Sequence, residues 1–470
     1  MYTSIADIQR ALLSGTSSLD ITHFFLTKIE SAKHLNAFLE VFTESAIRQA
    51  KYVDEKIKLG TQGKLAGVVI GIKDNICYEN HKVSASSKIL EGFESLYTAT
   101  ALQRLIDEDA IIIGRLNCDE FAMGSSNENS AFGPVLNAQD TSKVPGGSSG
   151  GSAVAVQAGL CIASLGSDTG GSIRQPASFT GTYGLKPTYG AISRYGLIAY
   201  ASSFDQIGVF SNSIDDTALL FNLMAGPDEF DSTCVQRKKE LTTIEAPKNK
   251  LTFAVFNEYL NAEGMDSEVK EFLLSTIQKL EAEGHTIVYE SFPYLAVLVP
   301  LYYVLTTAEA SSNLSRFDGV HYGYRSPDAI GVEQTYVKSR SIGFGKEVKR
   351  RIMAGSFVLS HGYYDAYYTK AQKVRQLVKQ KTDEILSKCD VILMPTTPSV
   401  AFDLASVSDP VQMYLQDIFT VHANISGNPA ISLPFGKHSS GLPFGIQLMS
   451  QREDEQKLLN TSKLLEKLLK

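Results

Sequence analysis

Apolar residues recur at helical spacing through the first part of the chain, beginning with Ile5, Ile8 and Leu12. Two more stretches of this kind follow before a glycine at the end of the third. Amphipathic helices bury their apolar face against another part of the protein. The pattern therefore predicts an N-terminal helical cover over residues 1–60, packed on a main domain over residues 61–470.

Beyond residue 60, short apolar runs of strand length alternate with amphipathic helical stretches. The predicted strands are 65–72, 110–114, 161–165, 251–256, 286–289, 391–394 and two more within 428–450. The predicted helices are 98–109, 117–123, a run ending near 159, 213–226, 267–283, 302–316, 345–388 and 454–470. This alternation predicts an α/β sheet with helices on its faces.

Two features interrupt the alternation. Residues 228–250 are polar and charged, which predicts an exposed connector. The strand, helix and strand predicted over 251–289 fit either an insertion or a continuation of the same sheet, and the pattern does not choose between them.

Composition and charge narrow the class of protein. The 470 residues are 43% hydrophobic and 20% charged, which is typical of a globular protein with a large core. The net charge of −7 disfavours direct nucleic-acid binding by this chain, because a nucleic-acid-binding surface is usually basic.

Cysteine usage and the apolar segments bear on the compartment. The five cysteines form no CxxC pair, and their odd number fits buried thiols in a reducing compartment, without disulfides. The N-terminus does not resemble a signal peptide, and no run of 18 apolar residues is present. We therefore expect a cytoplasmic protein without contact to a membrane.

Two clusters of glycine and serine stand out as candidate chemistry. They are GGSSGGS at 146–152 and DTGGS at 168–172, and the second follows a predicted strand. Glycine lets backbone N–H groups converge on one point, because it has no side chain to block their approach. A flexible linker has the same composition, but periodic apolar residues follow both clusters, which disfavours a linker.

Other motifs fit these clusters poorly. No phosphate-binding G-x-x-x-x-G-K-[ST] pattern is present. Residues 146–150 match the nucleophile-elbow pattern G-x-S-x-G, but the residues before them are polar, whereas an elbow follows an apolar strand. Metal-ligand spacing is also absent from the sequence, so no metal site is expected.

A catalytic serine needs a base, and none of the eight histidines lies in or near the glycine-rich clusters. Lys73 stands at the end of the predicted strand 65–72, where burial could keep its amine neutral. The alternative is an ordinary surface lysine at the end of a strand. Lys73, Ser148 and Ser172 are therefore a candidate constellation.

Three motifs carry a resemblance to a known family. GIKDN at 71–75, GGSSGGS at 146–152 and SDTGGSIRQPA at 167–177 resemble the signature of the amidase signature family. The two serines are 24 positions apart, as they are in that family. The resemblance implies a single large domain with a mixed central β-sheet covered by helices on both faces, and a catalytic core at about 65–215.

The resemblance also implies roles for individual residues. Ser172 would be the nucleophile that forms the acyl-enzyme, Ser148 the bridging serine that follows a cis peptide bond, and Lys73 the base. The oxyanion hole would consist of the N–H groups of Thr169, Gly170 and Gly171, together with that of the nucleophile.

Within the family, the chain is similar to the glutaminase branch that serves tRNA-dependent amidotransferases. The supporting stretches are 193–210, 308–326, 343–375 and 416–436. This similarity implies that glutamine is hydrolysed to glutamate and ammonia. It also implies that Asp417 and Arg351 bind the charged α-amino and α-carboxylate groups of glutamine, with Tyr302 nearby; an arginine can pair with a carboxylate through two hydrogen bonds.

The same branch implies partners. The chain would form a heterotrimer with a B and a C subunit, and the ammonia would pass to the B subunit. That subunit would bind the tRNA and use ATP and Mg²⁺ to amidate mischarged Glu-tRNA(Gln) or Asp-tRNA(Asn), while this chain would need no cofactor. Two alternatives stay open, a free-standing amidase acting on another small amide and an inactive scaffold subunit.

Overall fold

One eleven-stranded β-sheet runs through the protein, whose computed structural model describes residues 2–236, 240–407 and 409–470. The strands are β1 (Phe38–Val41), β2 (Val69–Lys73), β3 (Ile111–Leu116), β4 (Ala163–Asp168), β5 (Tyr183–Lys186), β6 (Gln206–Ser211), β7 (Thr252–Phe256), β8 (Thr286–Glu290), β9 (Val391–Pro395), β10 (Ala430–Lys437) and β11 (Pro443–Ser450). Their order across the sheet is β1-β3-β2-β4-β6-β5-β10-β11-β9-β7-β8.

Helices flank this sheet. They are α1 (Ile5–Leu13), α2 (Ser18–Ser31), α3 (Thr43–Leu59), α4 (Thr100–Asp107), α5 (Gly150–Gln157), α6 (Arg174–Thr180), α7 (Ile214–Met224), α8 (Asn257–Leu260), α9 (Ser267–Ala282), α10 (Leu295–Asn313), α11 (Gly331–Gly343), α12 (Lys346–Val358), α13 (Lys370–Leu386), α14 (Pro410–Leu415), α15 (Val421–Ser426) and α16 (Glu455–Leu469). A π-helical turn, Asp365–Thr369, precedes α13. The predicted α/β class is confirmed.

The sheet is mixed, and its parallel part positions the candidate residues. β2 pairs in parallel with both β3 and β4, whereas β4 pairs antiparallel with β6. The carboxyl ends of parallel strands lie at the same edge of a sheet. Lys73 at the end of β2 therefore lies beside the glycine-rich turn that follows β4.

Helix α5 lies against this edge because its first residues are small. It contacts β2, β3, β4 and β6. A Cβ added at Gly151 would lie 2.3 Å from the carbonyl oxygen of Asn117, so this position admits only glycine. The first glycine cluster thus brings the backbone before α5 close to β3, which holds Ser148 and Ser149 at the sheet edge.

The N-terminal region differs from the prediction in one element. Strand β1 lies between α2 and α3 and pairs antiparallel with β3, at the edge of the sheet. Its four half-buried residues are too few to show a strand period in the sequence. Ile5, Ile8 and Phe25 belong to the same buried core as β2 and β3, and the domain boundary at residue 60 stays a prediction.

Two other predictions are resolved by the sheet. The predicted helix over 117–123 shrinks to one 3₁₀ turn, Glu120–Ala122, because the buried Asp119 carboxylate accepts the N–H groups of Asn127 and Asn129 and so organises a loop. The unit over 251–289 continues the main sheet, since β7 pairs in parallel with β8 and β9.

The predicted connector 228–250 contains no helix or strand in its described part, while residues 237–239 lie outside the described residues. Within that described part of the chain, one helical segment, Leu295–Arg316, is long and apolar enough to cross a membrane by length and composition alone. Its mean hydropathy is 1.2, and 56% of that window is buried inside the protein, which is typical of a core helix.

Candidate functional site

Lys73 is fully buried and faces three hydroxyl groups. Its Nζ lies 2.7 Å from Ser148 Oγ, 2.8 Å from Ser149 Oγ and 3.0 Å from Ser167 Oγ. Burial lowers the pKa of Lys73 to about 8, because a charged amine loses its hydration there. About one amine in ten is then neutral at pH 7, far more than for a lysine in water. The site can therefore supply a neutral amine as a base.

The two predicted serines lie on either side of this arrangement. The peptide bond between Gly147 and Ser148 is cis, as the resemblance implies. The N–H of Ser149 donates to the carbonyl oxygen of Ser172 at 3.2 Å, which brings the backbones of the two glycine-rich clusters together. Ser148 is fully buried, whereas Ser172 keeps 7% of its surface exposed. The predicted nucleophile thus lies on the solvent side of the predicted base.

The predicted oxyanion hole is only partly open. The N–H of Gly171 already donates to Asp168 Oδ1 at 2.9 Å. Within the described ranges, the N–H groups of Thr169, Gly170 and Ser172 have no hydrogen-bond partner. Unpaired donors that converge on one point are what a developing oxyanion requires. The arrangement favours these three groups over that of Gly171.

A buried ion pair supports this turn. Arg174 donates to both carboxylate oxygens of Asp168, at 2.9 and 3.0 Å, and both side chains are fully buried. Burial alone would raise the pKa of Asp168, but Arg174 outweighs it and the pKa falls to about 2. The Asp168 carboxylate therefore stays ionised and keeps hold of the N–H of Gly171.

Asp417, a predicted substrate-binding residue, is buried at this site. It accepts a hydrogen bond from Ser125 Oγ at 2.7 Å. Burial raises the pKa of Asp417 to about 7, opposed by the Ser125 hydroxyl and by the nearby charge of Arg351. An ammonium group that binds here would restore the ionised carboxylate, because an opposite charge favours it.

Arg351 is also buried, and it already has partners. Its Nε donates to Glu347 Oε1 at 2.9 Å and its guanidinium donates to the Tyr200 hydroxyl at 2.9 Å. The guanidinium also lies over the ring of Tyr303, 5.0 Å from its centroid. A cleft of about 260 Å³ opens beside Arg351, and Arg350, Lys346 and Tyr414 are among the residues that line it. A substrate carboxylate would therefore share Arg351 with Glu347.

Tyr302 packs directly on the glycine-rich turn. A Cβ added at Gly170 would lie 2.5 Å from Cζ of the Tyr302 ring, so only glycine leaves room for that ring. The hydroxyl of Thr420 donates to the carbonyl oxygen of Gly170 at 2.7 Å, and its N–H donates to the carbonyl oxygen of Asp417 at 3.1 Å. Tyr302 and Asp417 are thus both placed next to the predicted oxyanion hole.

Sequence reasoning missed two of the hydroxyl groups at Lys73. Ser149 is adjacent to the predicted Ser148, and Ser167 also accepts a hydrogen bond from Asn75 at 2.9 Å. The relevant signal was the position of Ser167 near the end of a strand next to that of Lys73. It could be used only once β2 and β4 were known to be parallel neighbours.

Histidines and metal-ligand groups play no visible part in this arrangement. His422 is fully buried between the Tyr259 and Thr382 hydroxyls, and burial lowers its pKa to about 3. Among the described residues, no cluster of three or more His, Cys, Asp or Glu side chains could hold a metal ion. All five cysteines are free thiols.

Comparison with known proteins agrees with this geometry. The profile of the Amidase family matches residues 20–459. The chain is 48% identical over 472 residues to the A subunit of glutamyl-tRNA(Gln) amidotransferase from Chlorobium phaeobacteroides (strain DSM 266), and the match covers 99% of each chain. It is 48% identical over 462 residues to the protein of that name from Fusobacterium nucleatum, with 97% of this chain and 94% of that one covered.

Solved structures give the same picture. The A subunit of glutamyl-tRNA(Gln) amidotransferase from Thermotoga maritima superposes with a TM-score of 0.82 at 38% identity, covering 99% of this chain and 94% of that one. A peptide amidase bound to the inhibitor chymostatin superposes with a TM-score of 0.82 at 26% identity, covering 99% and 97%. A mixed sheet with a buried lysine among serines is the framework of an amide hydrolase. The chain belongs to the amidase family.

Proposed function

We propose that this chain is the glutaminase subunit of a tRNA-dependent amidotransferase. It hydrolyses the side-chain amide of glutamine to give glutamate and ammonia. The observation that carries the proposal is the neutralised Lys73 amine within 2.7 Å of the Ser148 hydroxyl, in a chain whose full-length relatives bear the name of such a subunit. The runner-up, a free-standing amidase, shares this lysine and these serines.

The first chemical step forms an acyl-enzyme. Ser172 Oγ attacks the side-chain carbonyl carbon of glutamine while its proton moves to Ser148, whose own proton moves to the neutral Lys73 amine. The carbonyl oxygen becomes an oxyanion, which the N–H groups of Thr169, Gly170 and Ser172 can stabilise. The proton held by Lys73 then returns through Ser148 to the leaving nitrogen, the carbon–nitrogen bond breaks, and ammonia departs.

The second step restores the enzyme. A water molecule attacks the acyl carbon and gives a proton to the same relay, and the ester bond to Ser172 breaks with return of that proton to its Oγ. The buried position of Lys73 supports this role, because a base with a pKa near the working pH can both take and return a proton.

Substrate recognition rests on opposite charges. Asp417 binds the α-amino group of glutamine and Arg351 its α-carboxylate, with Tyr302 packed between the substrate and the glycine-rich turn. The burial of Asp417 and Arg351 supports this assignment, since charge pairing is stronger where water is excluded.

The partners follow from the relatives. The chain assembles with B and C subunits, and its ammonia passes to the B subunit. That subunit binds the mischarged tRNA and uses ATP and Mg²⁺, so no cofactor is assigned to this chain. The complex works in the cytoplasm. Affinity purification of this chain from its native cell tests the assembly, and recovery without either partner would contradict it.

Glutamate release from glutamine by the purified complex tests the chemistry. We expect turnover in the wild type and its loss in Ser172→Ala, with thermal melting as the control for folding. Unchanged turnover in Ser172→Ala would overturn the assignment. Turnover of other small amides but not of glutamine would point to a free-standing amidase, and absence of all amide hydrolysis to a scaffold subunit.

A further inference from the structure

The side chain of Gln175 joins two loops of the site. It lies on the first turn of α6, fully buried, three residues after Ser172. Its Oε1 accepts the N–H of Gly147 at 2.9 Å, and its Nε2 donates to the carbonyl oxygen of Ser125 at 2.7 Å. Because a carboxamide has one acceptor end and one donor end, it can bridge an N–H and a carbonyl group in this way.

Each bridged residue adjoins a different function of the site. Gly147 directly precedes Ser148, the predicted relay serine. Ser125 donates its hydroxyl to Asp417, the predicted partner of the substrate ammonium group. The Gln175 carboxamide is therefore the hydrogen-bonded link between the loop that carries the proton relay and the loop that orients the carboxylate.

Close packing makes this link stiff. A Cβ added at Gly146 would lie 2.5 Å from Gln175 Oε1, and one added at Gly147 would lie 2.1 Å from Asp119 Oδ2 and 2.8 Å from the backbone nitrogen of Ser126. Tightly packed groups transmit a displacement instead of absorbing it. A shift of the Ser125 loop when substrate binds will therefore reach Gly147.

We propose that Gln175 is a positioning residue that couples binding of the substrate's α-ammonium group at Asp417 to the placement of the Ser148 hydroxyl. This inference rests on the proposed glutaminase function and deepens it. A substrate with the correct amino end sets the Ser125 loop, and Gln175 passes that placement to the turn before Ser148. The coupling makes proton transfer sensitive to the identity of the bound amide.

A buried amide can also serve stability alone, and the protein contains a matched example. Gln206 on β6 is fully buried, accepts the N–H of Gly190 at 2.8 Å and donates to the carbonyl oxygen of Ile192 at 2.9 Å. It makes the same two bonds as Gln175 but links neither Ser148 nor Asp417. Gln206→Met is therefore the control for the loss of a bridging amide.

The experiment compares two substrates in the full complex. Glutamine is compared with glutaric acid monoamide, which has the same amide and carboxylate but lacks the α-amino group. We expect Gln175→Met to lower kcat/KM for glutamine about a hundredfold, as displaced catalytic groups do. The loss for the monoamide should be smaller by about fivefold or more, since no ammonium group is there to be coupled.

Gln206→Met should lower the melting temperature without changing the ratio of the two substrates. If Gln175→Met does not fold, Gln175→Glu gives the same test, because it keeps an acceptor for Gly147 and removes the donor to Ser125. Equal fold-losses on both substrates in the folded variant would overturn the coupling. A wild type that does not hydrolyse glutamine would overturn the proposed function as well, so the two failures are distinguishable.

Discussion

Two buried lysines at strand ends invite comparison. Lys73 ends β2 and Lys186 ends β5, and burial lowers the pKa of both, to about 8 for Lys73 and to about 7 for Lys186. Their surroundings differ. Lys73 Nζ faces three serine hydroxyls, whereas Lys186 Nζ donates to the carbonyl oxygen of Pro187 at 2.7 Å and lies near the charge of Arg174.

The comparison separates two requirements for a lysine base. Burial makes the neutral amine available, and both lysines meet this requirement. A base also needs an acidic hydrogen within reach, and a backbone carbonyl cannot supply one. Lys73 meets both requirements, whereas Lys186 meets only the first. A lowered pKa alone therefore does not identify the catalytic lysine.

The largest effect should come from exchanging each lysine for an isosteric apolar residue. Lys73→Met should lower kcat for glutamine hydrolysis about a thousandfold or more, the usual contribution of a general base. Lys186→Met should stay within about tenfold of the wild type, because its amine touches no reacting group. Steady-state glutamate release measures both, and equal losses would erase the distinction between the two lysines.

A second exchange asks which hydroxyl at Lys73 carries the proton. Ser148→Ala should lower kcat about a hundredfold or more, because it breaks the relay between Lys73 and Ser172. Ser149→Ala and Ser167→Ala, which remove the other two partners of the same amine, should cost about tenfold each. A larger loss in either control variant than in Ser148→Ala would move the relay to that serine.

Removing the charge of Asp417 should affect binding more than chemistry. Asp417→Asn should raise KM for glutamine by about tenfold or more and leave kcat within about threefold, as expected when a charge-assisted contact to the substrate is lost. The KM for glutaric acid monoamide should hardly change. A loss in kcat with unchanged KM would place Asp417 in the chemical step.

The smallest effect is the pH dependence, and its sign follows from the two pKa values. Lys73 must be neutral, so kcat should rise about fivefold between pH 7 and pH 8 and level off near pH 9. Asp417 must be ionised, so KM should fall as the pH rises through about 7. Initial rates between pH 6 and pH 9 give both profiles. A kcat that does not change with pH would contradict a base with the pKa of Lys73.

The sequence predicts the pieces of the site better than their assembly. Lys73, Ser148 and Ser172 stand in long motifs, and an apolar strand before the lysine already indicates burial. Ser167 could not be assigned, because its contact with Lys73 depends on the order of β2 and β4 in the sheet. Strand order arises from tertiary packing of distant segments, which no local pattern encodes.

The fold shows the same division. Long periodic helices such as α9 and α16 lie where the apolar spacing predicts them. The short β1 was missed, because its pairing with β3 and not its own sequence makes it a strand. The helix predicted over 117–123 failed for a similar reason, since the carboxylate of Asp119 captures the N–H groups of a loop.

Covalent trapping of the nucleophile tests the central claim most directly. The complex would be incubated with an amide-directed electrophile built on the glutamine side chain, and the labelled peptide located by mass spectrometry. We predict a label on Ser172 in the wild type and in Lys186→Met, and its loss in Lys73→Met and Ser148→Ala. A label on another residue, or full labelling of Ser172 in Lys73→Met, would contradict activation of Ser172 by the buried amine.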